Sequence, residues 1–204
     1  TVYLSEKGMK IDLGSILKGY AADKIKAYLN SLGFENGLVN VAGNLYAMGK
    51  HLYRGKFIDW EVAIHTPYTT ELDGDKNTFG SVTGVDYTAV TSGSYERFIL
   101  AKDGTEYHHI LDPRTGYPNN SDVVSVTIVT KDSMRADALS TAAFSMGLEK
   151  GYELIESLAE TEAVFLTTKK EVYVTSGLVD NFNFNNAVKE IGYEYKGVKN
   201  GTSD

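Results

Sequence analysis

Asp137 and Thr141, in the run Ala136-Asp137-Ala138-Leu139-Ser140-Thr141, are the residues whose types and spacing speak most directly of chemistry. On a helix, residues four apart stand one above the other on one face, so a carboxylate and a hydroxyl would reach the same place. Such a pair offers oxygen to a hard cation. A site with only one or two protein ligands suits Mg²⁺, which keeps waters and shares its shell with substrate phosphate. Ser140 is close enough for an outer or water-mediated contact. An ordinary reading stands beside this one: an Asp early in a helix, favoured there by the dipole, with the Thr hydroxyl bonded back to a carbonyl. On either reading Asp137 is expected to be exposed, so that Asp137→Ala should cost little stability.

Three further segments carry useful residue types. Asp12-Leu13-Gly14-Ser15-Ile16-Leu17-Lys18-Gly19-Tyr20 sets a glycine before a helix start and a lysine one turn in, where free N–H groups and a cation attract phosphate. It lacks the spaced glycines of a Walker loop, and a capped amphipathic helix with a packing glycine at Gly19 would read the same way. Thr91-Ser92-Gly93-Ser94-Tyr95-Glu96-Arg97 is a polar turn whose amides could cradle a diphosphate, or simply a turn. Tyr107 to Pro118 gathers two of the four histidines and two of the three prolines. His108 and His109 are neighbours on a strand and point to opposite faces, so they do not ligate one metal; one is expected buried and the other exposed. Asp112-Pro113-Arg114-Thr115-Gly116 also fits a β-turn with Pro at its second position.

Periodicity supplies the elements that must hold these residues. Apolar positions at helical spacing predict a helix over 15–32, then others over 133–146 and 150–158. Short β-branched and apolar runs predict strands over 38–41, 45–48, 60–64, 81–90, 97–101 and 123–129. A hairpin turn is expected at Asp103-Gly104, a second hairpin over 163–175, an exposed loop over 68–77, and a loose tail over 201–204. Strands in runs with segregated helices argue for an α+β fold, mainly antiparallel, in place of a doubly wound parallel sheet.

Composition narrows the function. With 20 basic against 27 acidic residues, the net charge of −7 disfavours nucleic-acid binding by charge. The absence of cysteine removes disulfides, thiolate nucleophiles and thiolate metal sites. At 204 residues the chain fits one domain or a small two-lobed unit.

In their order, the segments DLGSILKGYAAD (12–23), GNLYAMG (43–49), TSGSYERF (91–98), HHILDPRTGYP (108–118), SVTIV (125–129) and ADALSTAAFSMG (136–147) resemble the ApbE-type FAD:protein FMN transferases. The resemblance implies a T-fold-like α+β core over residues 1–204, with FAD as substrate and Mg²⁺ as cofactor. It implies a metal shell of Asp137 and Thr141, with Ser140 beside them and an oxygen from Ser15. By the same resemblance FAD contacts fall on Asp12, Lys18, Gly93 and Leu111, and the family's histidine aligns with His109, a candidate to accept a proton. The implied reaction moves FMN from FAD to a Thr or Ser hydroxyl of an acceptor flavoprotein and releases AMP. Two alternatives stay open: hydrolysis of FAD to AMP and FMN, and a non-catalytic flavin-binding module. Family members carry a further lobe before the DLG motif, with an aromatic that stacks on adenine. The resemblance therefore implies weakened FAD binding by this chain, an exposed apolar patch with self-association, and an exported, membrane-anchored lipoprotein as the parent protein.

Overall fold

A computed structural model describes residues 2–95, 97–102, 104 and 106–199. Asp103, half of the expected hairpin turn, and the expected tail at 201–204 lie outside the described residues. In chain order the elements are α1 (Leu17–Ser31), β1 (Gly37–Val41), β2 (Asn44–Met48), β3 (His51–Tyr53), β4 (Lys56–Ile58), β5 (Trp60–His65), β6 (Thr78–Gly84) and β7 (Tyr87–Gly93). They continue with β8 (Phe98–Leu100), β9 (Glu106–His108), β10 (Val123–Thr130), α2 (Ser133–Glu156), β11 (Glu162–Thr167), β12 (Glu171–Val174), β13 (Phe182–Phe184) and β14 (Glu194–Gly197).

Seven strands form the main sheet in the order β1-β2-β7-β10-β11-β12-β14, antiparallel throughout except for the β12–β14 pair. A second sheet, β13-β6-β5, lies on one face, and both helices lie on the other. Side-chain alternation builds the three layers. On β11, Ala163 and Phe165 pack under α2 with Ala136, Ala143, Phe144 and Ile155, while Val164 and Leu166 turn toward Val62, Phe79 and Val82 of the second sheet. The α+β, mainly antiparallel class is what the sequence pattern implied.

Several expectations need correction. Residues 81–90 are not one strand: Asp86 takes a left-handed backbone (φ 51°) between β6 and β7, and its carboxylate accepts the Gly49 N–H at 2.8 Å. The loop at 68–77 contains a 3₁₀ turn, Glu71–Asn77, opened by a capping box of Thr70 and Asp73. The two later helices are one element with a break at Gly147 (φ 78°), after which the Asp122 carboxylate caps the Leu148 N–H at 2.9 Å. Helix α1 begins two residues later than expected, because the Asp12 carboxylate holds the Gly14 N–H and keeps residues 12–16 in turns. Strands β3, β4, β13 and β14 were absent from the sequence reading; all are three or four residues long, too short for a periodic signal.

Helix α1 meets α2 through its smallest residues. Only Gly19 and Ala22 of α1 are buried, whereas Leu17, Tyr20, Ile25, Tyr28 and Leu32 are exposed, forming an apolar outer face. A Cβ on Gly19 would stand 2.1 Å from the Ser133 carbonyl oxygen, so the two backbones touch. One turn on, the Asp23 carboxylate accepts the N–H groups of Ser133 (3.0 Å) and Met134 (2.9 Å), satisfying the start of α2 from the neighbouring helix. Gly19→Ala must force the helices apart, and we expect a loss of about 3 kcal/mol in urea unfolding; an unchanged midpoint would show that the crossing is not rigid.

Candidate active site

The helix crossing also places the first chemical group. Asp137 is 3% exposed, and its Oδ2 accepts the Gly19 N–H at 2.9 Å across the α1–α2 contact. This overturns the expectation of an exposed Asp137: the helical face that carries it is the one turned toward α1. Oδ1 has no donor among the described residues. The next turn of α2 carries a cluster of hydroxyls that faces β7. Ser140 Oγ donates to the Asp137 carbonyl at 2.9 Å and meets Ser92 Oγ at 2.8 Å, while Thr141 Oγ1 lies 3.1 Å from the same Ser92 oxygen. Thr141 also leans on the Asp137 carbonyl at 3.4 Å, so the ordinary back-bonded helical arrangement and the shared face both hold.

Ser92 joins the cluster because β7 turns even-numbered residues toward α2. Thr88 on the same face meets Ser133 Oγ at 3.0 Å, one helical turn before Asp137. The sequence pattern puts Ser92 in a polar turn with no role of its own, but its place four residues from Thr88 on one strand face is a signal that both could meet the same helix.

The other expected residues fall in two places. Lys18 is half-buried and precedes Gly19 in the first turn of α1; among the described residues it makes no ion pair with Asp137. Asp12 and Ser15 are exposed in the turn before α1, and the Asp12 carboxylate is engaged by the Gly14 N–H at 2.7 Å. Gly93 is buried at the end of β7, where a Cβ would meet the Tyr95 ring at 2.7 Å. Leu111 is exposed and bridged to Pro118. Among the described residues no hydrogen bond joins His109 directly to the Asp137 cluster.

The histidine segment is a hairpin. Asn119 N–H bonds the Ile110 carbonyl at 2.9 Å, Asp112 N–H the Tyr117 carbonyl at 2.8 Å, and Gly116 (φ 73°) closes the turn onto the Asp112 carbonyl. Arg114 folds back on Asp112 with Nε at 3.0 Å and a terminal nitrogen at 2.7 Å; the guanidinium, with the Arg114 backbone N–H, holds the Asp112 carboxyl down at about 2. His109 is exposed, and its Nδ1 lies 3.0 Å from the Arg97 carbonyl. A carbonyl only accepts, so the neutral ring carries its proton on Nδ1 and keeps the Nε2 lone pair free. His108 turns the other way, its ring edge-on to Phe144 with centroids 5.7 Å apart. The expected division into one inward and one outward histidine holds.

A profile of the ApbE family matches residues 2–165. The chain belongs to the ApbE family. It is similar to the FAD:protein FMN transferase of Treponema pallidum, 40% identical over 185 residues, a match covering 88% of this chain and 50% of that protein. The FAD:protein FMN transferase of Klebsiella pneumoniae is 35% identical over 176 residues, covering 86% of this chain and 51% of its own. Among solved structures, the ApbE protein of Thermotoga maritima aligns with a TM-score of 0.68 and 32% identity over 92% of this chain and 55% of that one. The flavin transferase ApbE of Vibrio cholerae aligns with a TM-score of 0.65 and 32% identity, over 84% and 52%. The chain spans about half the length of the curated relatives it matches.

The donor set suits the cation implied by the family resemblance. Among the described residues no three His, Asp or Glu side chains converge as a metal cage. Asp137 with the Thr141 and Ser140 hydroxyls is a sparse, all-oxygen set that leaves most of an octahedral shell to water and phosphate, as Mg²⁺ prefers.

Burial changes what a mutation at Asp137 should do. Asp137→Ala leaves the Gly19 N–H buried and unpaired, at a cost of about 1–3 kcal/mol, whereas Asp137→Asn keeps an acceptor oxygen for it. Thermal unfolding should separate the two variants, with Ala much the less stable; equal melting temperatures would mean that the Gly19 bond contributes nothing.

Proposed function

We propose that this chain carries the diphosphate-and-acceptor side of an FAD:protein FMN transferase. The observation that carries the reading is the buried Asp137 carboxylate, whose Oδ1 has no donor among the described residues, on the helix that also carries the Ser140 and Thr141 hydroxyls paired with Ser92. The names of the relatives support it.

Asp137 and Thr141 would hold Mg²⁺, with Ser140 adjacent and a further oxygen from Ser15. Bound there, Mg²⁺ supplies charge neutralisation on the diphosphate as its bond breaks. Lys18 adds positive potential on the same side. Asp12, Gly93 and Leu111 line the flavin nucleotide, the last two from the end of β7 and the histidine hairpin. The hydroxyl of a Thr or Ser on the acceptor flavoprotein attacks the FMN-side phosphorus of FAD. The new P–O bond forms as the bond to the AMP oxygen breaks, and AMP leaves with that electron pair. The hydroxyl proton passes to His109 Nε2, available because Nδ1–H is committed to the Arg97 carbonyl. Water in place of the acceptor hydroxyl would give AMP and free FMN by the same steps. The exposed apolar face of α1 is proposed to drive self-association of the chain, and the protein is proposed to be exported and membrane-anchored.

Incubation with FAD, Mg²⁺ and a Thr-containing acceptor, followed by mass spectrometry, distinguishes the readings. The acceptor should gain one FMN. Free FMN alone means hydrolysis, and unaltered FAD means a binding module. Asp137→Asn should slow transfer by roughly 100-fold or more, the worth of several kcal/mol of lost charge stabilisation, and flatten its Mg²⁺ dependence; full activity in that variant would refute the metal assignment.

A further inference from the structure

His108, the histidine without a part in the proposed transfer, is the more firmly held of the pair. Its Nδ1 accepts the Ile110 N–H at 3.3 Å, so the proton sits on Nε2, which donates to the Asn119 carbonyl at 3.1 Å. The Asn119 side chain then donates to the Ser145 carbonyl at 3.2 Å, and Ser145 Oγ donates to the Thr141 carbonyl at 2.8 Å. A second tie runs from Ser121 Oγ to the Phe144 carbonyl at 2.8 Å, beside the ring that His108 meets edge-on.

From these contacts we infer that His108 is a positioning residue: it fixes the strand carrying His109 in register with the turn of α2 that carries Asp137 and Thr141. The kinetic consequence rests on the transferase reading, while the geometry does not. His109 is the next residue and faces outward, where both its backbone N–H (3.2 Å) and its Nδ1–H reach the Arg97 carbonyl at the end of the β8–β9 ladder, so its ring orientation depends on how this stretch of backbone is held. His108 supplies that hold from the inner face through one donor, one acceptor and one ring edge. Without it the histidine hairpin would remain tied to α2 by the Asn119 and Ser121 side chains and His109 would keep its backbone bond to Arg97, but the His109 ring would lose the inner-face support that fixes its orientation.

Protonation releases the same hold. A second ring proton would place Nδ1–H against the Ile110 N–H, donor against donor. His109 and Tyr107 are the titratable groups nearest in sequence. Among the described residues Glu106 is the only other titratable group lining the cavity of about 270 Å³ beside His108, and it is engaged by the Tyr68 hydroxyl at 3.2 Å. From α2 the ring meets Phe144, and from the loop Asn119, Asn120 and Ser121, none of them charged. Burial pushes the His108 pKa down and His109 adds to the fall, with the Asn119 carbonyl opposing. The folded value thus lies below the unfolded one of about 6.5. Above that pH neither state is protonated and stability is unaffected; as pH falls from there through the folded value, the unfolded state gains the proton first and stability is lost.

The test uses His108→Leu, which removes both hydrogen bonds, and His108→Gln, whose amide can still donate to the Asn119 carbonyl. Imidazole nitrogen NMR should show His109 as the Nδ1–H tautomer in the wild type and in the Gln variant, and as a tautomer mixture in the Leu variant. The stability loss below about pH 6.5 should disappear in both variants. Transfer should fall about 10- to 100-fold in kcat for His108→Leu, as expected for a misplaced base, with FAD affinity within about twofold and most of the rate restored by Gln. A folded Leu variant whose His109 keeps its tautomer overturns the inference, whatever the transfer assay shows. A wild type that transfers nothing defeats the transferase reading alone, and the NMR result still decides the role of His108. Should His108→Leu fail to fold, His108→Phe, which keeps a ring edge for Phe144 and neither hydrogen bond, decides by the same readout: a tautomer mixture at His109 supports the inference, and a retained Nδ1–H overturns it.

Discussion

The crossing of α1 over α2 at Gly19 is the constraint on which the site depends. Backbone meets backbone there, because any side chain at Gly19 would collide with the Ser133 carbonyl. The close approach lets one N–H of α1 reach a carboxylate buried on α2, and lets Asp23 supply the acceptors that the first N–H groups of α2 need. A helix start and a buried charge, each costly alone, satisfy one another. Lys18 and the turn at 12–16 are held in place by that contact together with the packing of Ala22 and Leu29 on Val39, Tyr46 and Met48, while most of the large apolar residues of α1 face outward.

Beneath the crossing, the interface between α2 and the sheet is polar along one line. Thr88 with Ser133, and Ser92 with Ser140 and Thr141, make a ladder of hydroxyl pairs where a core would ordinarily be apolar. Each hydroxyl both donates and accepts, so the ladder satisfies itself, and its lower end bonds the Asp137 carbonyl through Ser140 and Thr141. Away from this line the packing is conventional, with Ala136, Ala143, Phe144 and Ile155 on Val126, Ile128 and Phe165. The apolar part holds the helix against the sheet, and the polar part fixes its rotation, because a turned helix would bury unpaired hydroxyls.

The histidine hairpin is attached differently. It contributes Ile110 to the core, and side chains of Asn119 and Ser121 tie it to carbonyls of α2. Those carbonyls lie where the helix approaches its break at Gly147, and so are free of part of their intrahelical duty. The break thus opens a docking point for the loop that bears the outward histidine.

Local pattern was enough to reveal much of this protein. Helical spacing marked α1 and α2, β-branched runs marked β1, β2, β5, β10, β11 and β12, and Asp-Pro-Arg-Thr-Gly announced its turn, because each of these depends on residues close in sequence. The pairing of Asp137 with Thr141 was legible for the same reason: four residues of helix fix it. What tertiary structure decided was every relation across distance. That Asp137 is buried, that Ser92 joins it, that Asp23 caps a helix not its own, and that His108 anchors His109 all rest on hydrogen bonds between elements, the Gly19–Asp137 bond spanning 118 residues. Such bonds exist only once helices and sheet have docked, and propensity and periodicity, which act over a few residues, carry no information about which partners docking will bring within 3 Å of one another.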